Sequence, residues 1–212
     1  MGTEIALIFG SVSYGSWDFL EPLRDHVAVI CADGGTICAA AAGFSPNVYI
    51  GDSDSGGTPP PGVERVLLPV EKDLTDLQAA YEYARRRGFR KVIATACTGG
   101  RQDHHLANLQ LLETAWADSV QLSIWDERNE ISYLCGGACT IPHGGFRYFS
   151  ILPLDRELRG VTVTGAKYQL ENATVRRGDS LTVSNETIGG PAEIAIASGA
   201  AWIIRSDRII KE

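Results

Sequence analysis

Through roughly the first 125 residues, short β-branched, apolar runs alternate with helix-patterned stretches, and this alternation limits the possible folds more than any other feature of the chain. Strands are expected at residues 5–9, 27–32, 48–50, 63–68, 91–96 and 120–125. Helices are expected at 17–26, 36–42, 72–87 and from the turn after residue 100 to 117. Pro22 interrupts the first helix near its start. Leu74, Leu77, Ala80, Tyr81 and Ala84 form one stripe of the third, and Leu106, Leu109, Leu112 and Ala115 recur every three residues in the fourth. Strands that alternate with helices build a mainly parallel sheet with helices on both faces, and ligands of such sheets bind outside the carboxyl ends of the strands.

Beyond residue 128 helical periodicity stops. Short strand candidates follow one another at 130–134, 148–152, 161–164, 168–170, 181–184, 193–197 and 201–205, punctuated by Gly, Asn and Asp. That texture indicates a smaller C-terminal all-β sandwich of about 80 residues. The expected domains are therefore 1–128 (α/β) and 129–212 (all-β).

Composition narrows the function. A formal net charge of -7 leaves no general basic face for nucleic acid or a membrane surface. Cys31, Cys38, Cys97, Cys135 and Cys139 are an odd set without a C-x-x-C pair, which fits a reducing cytoplasm. Glu4 stands where a signal peptide carries bases, and no apolar stretch approaches the ~20 residues that span a bilayer.

The chemistry-bearing residues collect at the expected strand ends. After 91–96 comes Thr98-Gly99-Gly100-Arg101-Gln102-Asp103-His104-His105, in which glycines let backbone N–H groups approach an anion and Arg101 offers a fork for phosphate oxygens. The same glycines also make an ordinary turn, Asp103 an ordinary N-cap, and the adjacent histidines suit the surface or packing. Asp52 and Asp54 alternate in a second strand-end loop, and Asp73 and Asp76 are expected on one turn of a helix. With Asp103, these hard oxygen donors suit magnesium; Asx turns in the loop and an Asp-x-x-Asp cap are the plainer alternatives. Neither a Walker A motif nor a dinucleotide fingerprint occurs.

In order along the chain stand Ala32-Asp33-Gly34-Gly35, Gly51-Asp52-Ser53-Asp54-Ser55, Lys72-Asp73-Leu74-Thr75-Asp76, Gly99-Gly100-Arg101-Gln102-Asp103-His104 with Asn108, Lys167-Tyr168-Gln169-Leu170 and Ser184-Asn185-Glu186. In these blocks the chain resembles the thiamin pyrophosphokinases over nearly its full length, with Gln169 where that family commonly has proline. The resemblance implies transfer of the diphosphoryl group of ATP to the thiamin hydroxyl, giving thiamin diphosphate and AMP, with Mg2+ required. It implies that Asp52, Asp54, Asp73, Asp76 and Asp103 hold or orient metal. Asp54, Asp76, Arg101 and Asp103 would serve catalysis, the proton acceptor being left between Asp54 and Asp76. It further implies nucleotide contacts from Asp33, Gly34, Gly99, Gly100, Arg101 and His104.

The resemblance puts thiamin on the β domain, with Ser184 and Asn185 at the aminopyrimidine, and makes the active site across a homodimer interface. Trp202 is read either as a core residue or as a ring stacked on a flat cation. Two rival readings stand beside this one. Asp52-Ser53-Asp54 also suits a Mg-dependent phosphatase with an aspartyl nucleophile, although Gly56 stands where that pattern has threonine. The other rival is a non-catalytic thiamin- or nucleotide-binding module.

Overall fold

The computed structural model describes residues 4–52, 61–68 and 73–209. The chain divides into two compact units, Met1–Glu127 and Arg128–Glu212.

The first unit is built on a parallel sheet. Strand β1 (Ile5–Phe9) pairs with β2 (Val27–Ala32) on one side and with β5 (Lys91–Thr95) on the other. From β2 the sheet continues to β3 (Val48–Gly51) and β4 (Glu64–Leu67), and from β5 to β6 (Gln121–Trp125). Ala6, Leu7, Ile8 and Phe9 have no solvent exposure, as a strand covered on both faces requires, so β1 reads as a continuous apolar run without alternation. Helix α1 (Gly35–Ala41) touches β1 and β2, α2 (Asp76–Arg86) touches β1, β2 and β3, and α3 (Gln102–Ala117) touches β6. Leu7, Phe9, Val29, Cys31 and Ile93 share one cluster with Cys38 and Ala39 of α1. The chain leaves β1 toward β2 and later returns beside β1 with β5, so the order reverses at β1, and the crevice expected of such a switch lies at the strands' carboxyl ends.

Several expectations change here. The helix expected at 17–26 is a short 3-10 helix, Asp18–Leu23, because Pro22 removes a donor that a longer helix needs. Thr75, not Asp73, caps α2: its Oγ1 accepts from Gln78 N at 3.2 Å, so Asp73 and Leu74 precede the helix and Leu74 is exposed. In α3, Leu109, Leu112 and Ala115 of the expected stripe are buried, but Leu106 is 53% exposed, and Asn108 and Leu111 are buried as well. A strict i+3 series drifts by about 60° per step on a helix of 3.6 residues per turn, so the buried stripe follows i, i+3, i+4, i+7 instead.

The second unit is antiparallel. It contains β7 (Glu130–Ile141), β8 (Phe146–Pro153), β9 (Glu157–Thr164), β10 (Leu170–Arg176) and β11 (Ala192–Arg208). The strands expected at 193–197 and 201–205 are one strand, β11, kinked where its register with β7 shifts between Ile196 and Ala200. Gly199 sits in the kink at φ 105, and Gly136 and Gly137 lie opposite at φ 63 and 82. Before the kink β11 pairs with β9; after it, with β8. Ile194 and Ile196 from one limb and Ala201 and Ile203 from the other join Phe149, Ile151, Leu158, Val161 and Val175 in one core. Residues 181–184 form no strand; the isolated bridges Phe149–Asn185 and Ala166–Thr187 follow them.

Candidate active site

A cavity of about 390 Å³ opens at the carboxyl edge of the parallel sheet. Gly10 and Ser11 reach it from the end of β1, Asp33 from β2, Cys97 and Gly99 from β5, and Asp76 from the start of α2; Arg101, His104 and Asn108 complete its wall. A larger hollow, about 1030 Å³, lies at the opposite edge near Glu4, His26, Arg90 and Lys91. Size does not decide between them. The glycine turns and the N-termini of α2 and α3 meet only at the smaller one, and they supply the donors and positive dipole ends that an anion needs.

Close packing shapes this edge. A Cβ on Gly35 would stand 2.1 Å from Phe9 O, and one on Gly10 would stand 2.5 Å from Ala96 O, so both glycines let one backbone press against another. Gly99 and Gly100, at φ 84 and 62, adopt the left-handed conformation that their turn demands. Asn108, buried on α3, donates from Nδ2 to Cys97 O at 2.9 Å and ties the turn to the helix behind it. The Gly99 amide points to His105 Nδ1 at 3.4 Å. Asp33, itself at φ 47, stands 3.5 Å from the Tyr49 hydroxyl.

The acidic residues do not all converge. Asp76 and Asp33 line the cavity, whereas Asp52, Asp73 and Asp103 do not. Asp52 follows β3 and is half-buried, and Asp73 is exposed ahead of α2. Asp54 lies outside the described residues. Among the described residues, no three His, Cys, Asp or Glu side chains gather as a metal site. Magnesium usually takes only one or two carboxylates together with waters and phosphates, so Asp33 and Asp76 are a fitting donor set for it.

Arg101 and Asp103 are paired with each other. Nη2 lies 2.7 Å from Oδ2 and Nε 3.2 Å from Oδ1, in a two-pronged contact on the surface. The guanidinium, helped by the His104 amide, pulls the Asp103 carboxyl down to about 2. A folded-state pKa below the unfolded one contributes stability above the unfolded value, about 4, and loses it as pH falls through about 2, so the pair is intact at neutral pH. Arg101→Ala is expected to return the Asp103 midpoint most of the way to about 4, read from carboxyl carbon shifts. A midpoint that stays near 2 would assign the shift to the His104 amide instead.

In the second unit, the Lys167-Tyr168 and Ser184-Asn185-Glu186 blocks are partners of each other. Asn185 is buried; its Oδ1 accepts from Tyr168 N (3.0 Å) and Glu186 N (2.9 Å), and its Nδ2 donates to Tyr168 O (2.7 Å). Lys167 Nζ meets Glu186 at 2.7 Å. Ser184 is exposed at φ 60, its amide bonded to Ser150 Oγ at 3.0 Å. Trp202, half-buried in β11, stands between Tyr133 and Leu152 in register.

Sequence reading passed over Gly10, Ser11 and Thr75 as site residues. The first two follow a strand end, the signal that marked Asp33 and Gly99.

Comparison with known proteins then decides the family. Residues 20–124 match the model of the thiamin pyrophosphokinase catalytic domain, and residues 138–201 match the model of that enzyme's vitamin B1 binding domain. A thiamine pyrophosphokinase of Bacillus subtilis (strain 168) is 31% identical over 189 residues, covering 86% of this chain and 88% of the relative. The chain belongs to the thiamin pyrophosphokinase family. The crystal structure of thiamine pyrophosphokinase from Bacillus subtilis superposes with a TM-score of 0.85 at 28% identity, covering 97% of this chain and 99% of that one. The thiamin pyrophosphokinase from Geobacillus thermodenitrificans superposes with a TM-score of 0.81 at 29% identity over 95% and 96% of the two chains. In this family member the carboxyl-edge cavity, apart from Gly10, Ser11 and Val12, is lined by the part matched by the catalytic domain, and the Asn185 clamp lies in the part matched by the vitamin-binding domain.

Proposed function

We propose that the chain is an ATP:thiamin diphosphotransferase, a thiamin pyrophosphokinase, with its nucleotide phosphates received in the carboxyl-edge cavity. The observation that carries this reading is the meeting of Asp33, Asp76, Gly99 and Arg101 around one cavity, in a chain of this family. The thiamin hydroxyl oxygen attacks the β-phosphorus of ATP, the bond from that phosphorus to the α-phosphate oxygen breaks, and AMP leaves. The hydroxyl proton passes to a carboxylate. Asp76 suits that role because it already faces the cavity; Asp54 is the other candidate.

Asp76 and Asp33, with Asp52 and Asp54, which follow β3 in sequence, would hold Mg2+. The bound ion would neutralise charge on the phosphate oxygens. Asp73 is exposed ahead of α2, and Asp103, paired with Arg101, serves better by orienting it. Arg101 reaches the transferring phosphates, while Gly34, Gly99, Gly100 and His104 contact the nucleotide. Residues 1–128 act as the catalytic domain, with helices on both faces of its sheet, and residues 129–212 form a β-sandwich that takes thiamin. There Ser184 meets the aminopyrimidine, Asn185 fixes the loop that presents Ser184, and Trp202 stacks on the ring. A homodimer completing the site across its interface, in the cytoplasm, fits the resemblance in sequence. Among the described residues, no helix is long and apolar enough to cross a membrane.

The test is direct. Protein mixed with ATP, Mg2+ and thiamin is expected to yield AMP and thiamin diphosphate in equal amounts. Release of ADP or inorganic phosphate without AMP would overturn the reading in favour of a phosphatase, and binding of both ligands without turnover would favour a non-catalytic module.

A further inference from the structure

Tyr14 lies between β1 and the 3-10 helix, far in sequence from the turn after β5, yet its phenolic oxygen sits against that turn. It accepts from Cys97 N and from Thr98 N, each at 3.2 Å, and stands 2.7 Å from Thr98 Oγ1. Thr98 Oγ1 in turn bonds Asp126 Oδ2 at 3.2 Å. Proton counting fixes the direction. A carboxylate only accepts, so the Thr98 hydroxyl gives its one proton to Asp126, and the phenol must be the donor between Tyr14 and Thr98. Burial keeps that phenol protonated, well above its ordinary pKa. Two backbone N–H groups therefore feed a one-way chain of hydroxyls that ends on a carboxylate, each bond polarising the next.

The same connection is fastened elsewhere. Gly10 N donates to Thr95 O and Val12 N to Ala96 O, both at 2.8 Å, and Ser16 N donates to Glu127 Oε1. The Tyr14 ring packs against Trp17, with centroids 5.2 Å apart, which holds the phenol in place. Gly10, Ser11 and Val12 form one wall of the cavity and Cys97 and Gly99 another, so Tyr14 joins the two walls.

We propose that Tyr14, Thr98 and Asp126 are positioning residues, a hydrogen-bonded relay that holds the turn at 97–101 and the loop at 10–16 in the geometry that receives nucleotide phosphates. The inference rests on the placement of the nucleotide in the carboxyl-edge cavity. The relay acts through the turn and touches no reacting atom.

Tyr14→Phe keeps the ring and removes only the oxygen. In the ligand-free protein the Cys97 and Thr98 amides should then exchange hydrogen roughly ten- to a hundred-fold faster, with the amides of β1 unchanged. kcat/KM for ATP should fall roughly ten-fold or more, with the thiamin KM unmoved. Thr98→Val should reproduce the loss and Thr98→Ser should restore most of it. Unchanged exchange at 97 and 98 in Tyr14→Phe overturns the relay. Faster exchange with unaltered ATP kinetics overturns its positioning role, as does a Thr98→Ser variant as impaired as Thr98→Val. The nucleotide placement is checked separately in the parent protein. Mg-ATP should slow exchange at 97–101, and protection confined to other segments would refute the placement and the relay's proposed purpose, whatever Tyr14→Phe does.

Discussion

Asp76→Asn is expected to lower kcat by roughly 10²- to 10³-fold, the scale on which a lost transition-state charge contact acts, while the protein stays folded. The carboxylate stands at the first position of α2, half-buried, and faces the cavity. Its amide replacement keeps the shape and removes the charge that a metal or a proton acceptor must supply. A carboxylate in the first turn favours the helix dipole by about 0.3–1 kcal/mol, and Thr75 still caps the same end through Gln78. Initial rates of AMP formation, set beside a thermal midpoint that moves by no more than about 4 °C, would bear this out. Activity that falls only in step with the folded fraction would make Asp76 a structural residue.

The parallel sheet was legible because its central strands are buried on both faces. The run Ala6-Leu7-Ile8-Phe9 carries no polar residue and is followed by Gly10, and β2 is followed by Asp33, residue types that suit a turn at the sheet edge. The second unit was less legible because its pairing is non-local. Nothing near Gly199 says whether the chain turns back there or merely kinks, since the answer depends on the glycines opposite it in β7. Leu106 misled for a related reason: a leucine at helical spacing is counted as buried until the neighbouring elements decide which stripe they cover.

At the site, residue type was informative and geometry was not. Gly99, Arg101 and Asp76 stood out because glycine turns, a guanidinium and carboxylates at strand ends have few uses other than anion and cation chemistry or simple turns. That Arg101 and Asp103 bind each other, two residues apart, follows from side-chain reach around a helix start and is not visible as spacing. Asn185 was marked as a ligand contact by the resemblance alone, and that its carboxamide ties two loops together was not visible in sequence. Tyr14 carried no signal at all, since its partners Cys97 and Thr98 lie 83 and 84 residues further along the chain.

Gly35→Ala is expected to damage stability more than any change at the cavity surface. The new methyl group would meet backbone, which cannot swing aside: a Cβ at this position would stand 2.1 Å from Phe9 O, 2.9 Å from Phe9 C and 3.2 Å from Gly10 O. Relief requires α1 to lift from the end of β1, and α1 carries Cys38 and Ala39 into the cluster around Leu7 and Phe9. Overpacking of this kind costs about 1–3 kcal/mol, sometimes more. At about 2–4 °C per kcal/mol for a chain of this size, the melting temperature should fall by roughly 3–10 °C. The helix start also holds Asp33 and Gly34, so the folded remainder should bind ATP more weakly. Gly34→Ala is the control, because its Cβ would meet only the side chain of Ser11, at 3.2 Å. A Gly35→Ala protein that melts within about 1 °C of the parent would show that α1 has room to move, and an equal fall for both variants would put the cost in the backbone rather than in the contact with β1.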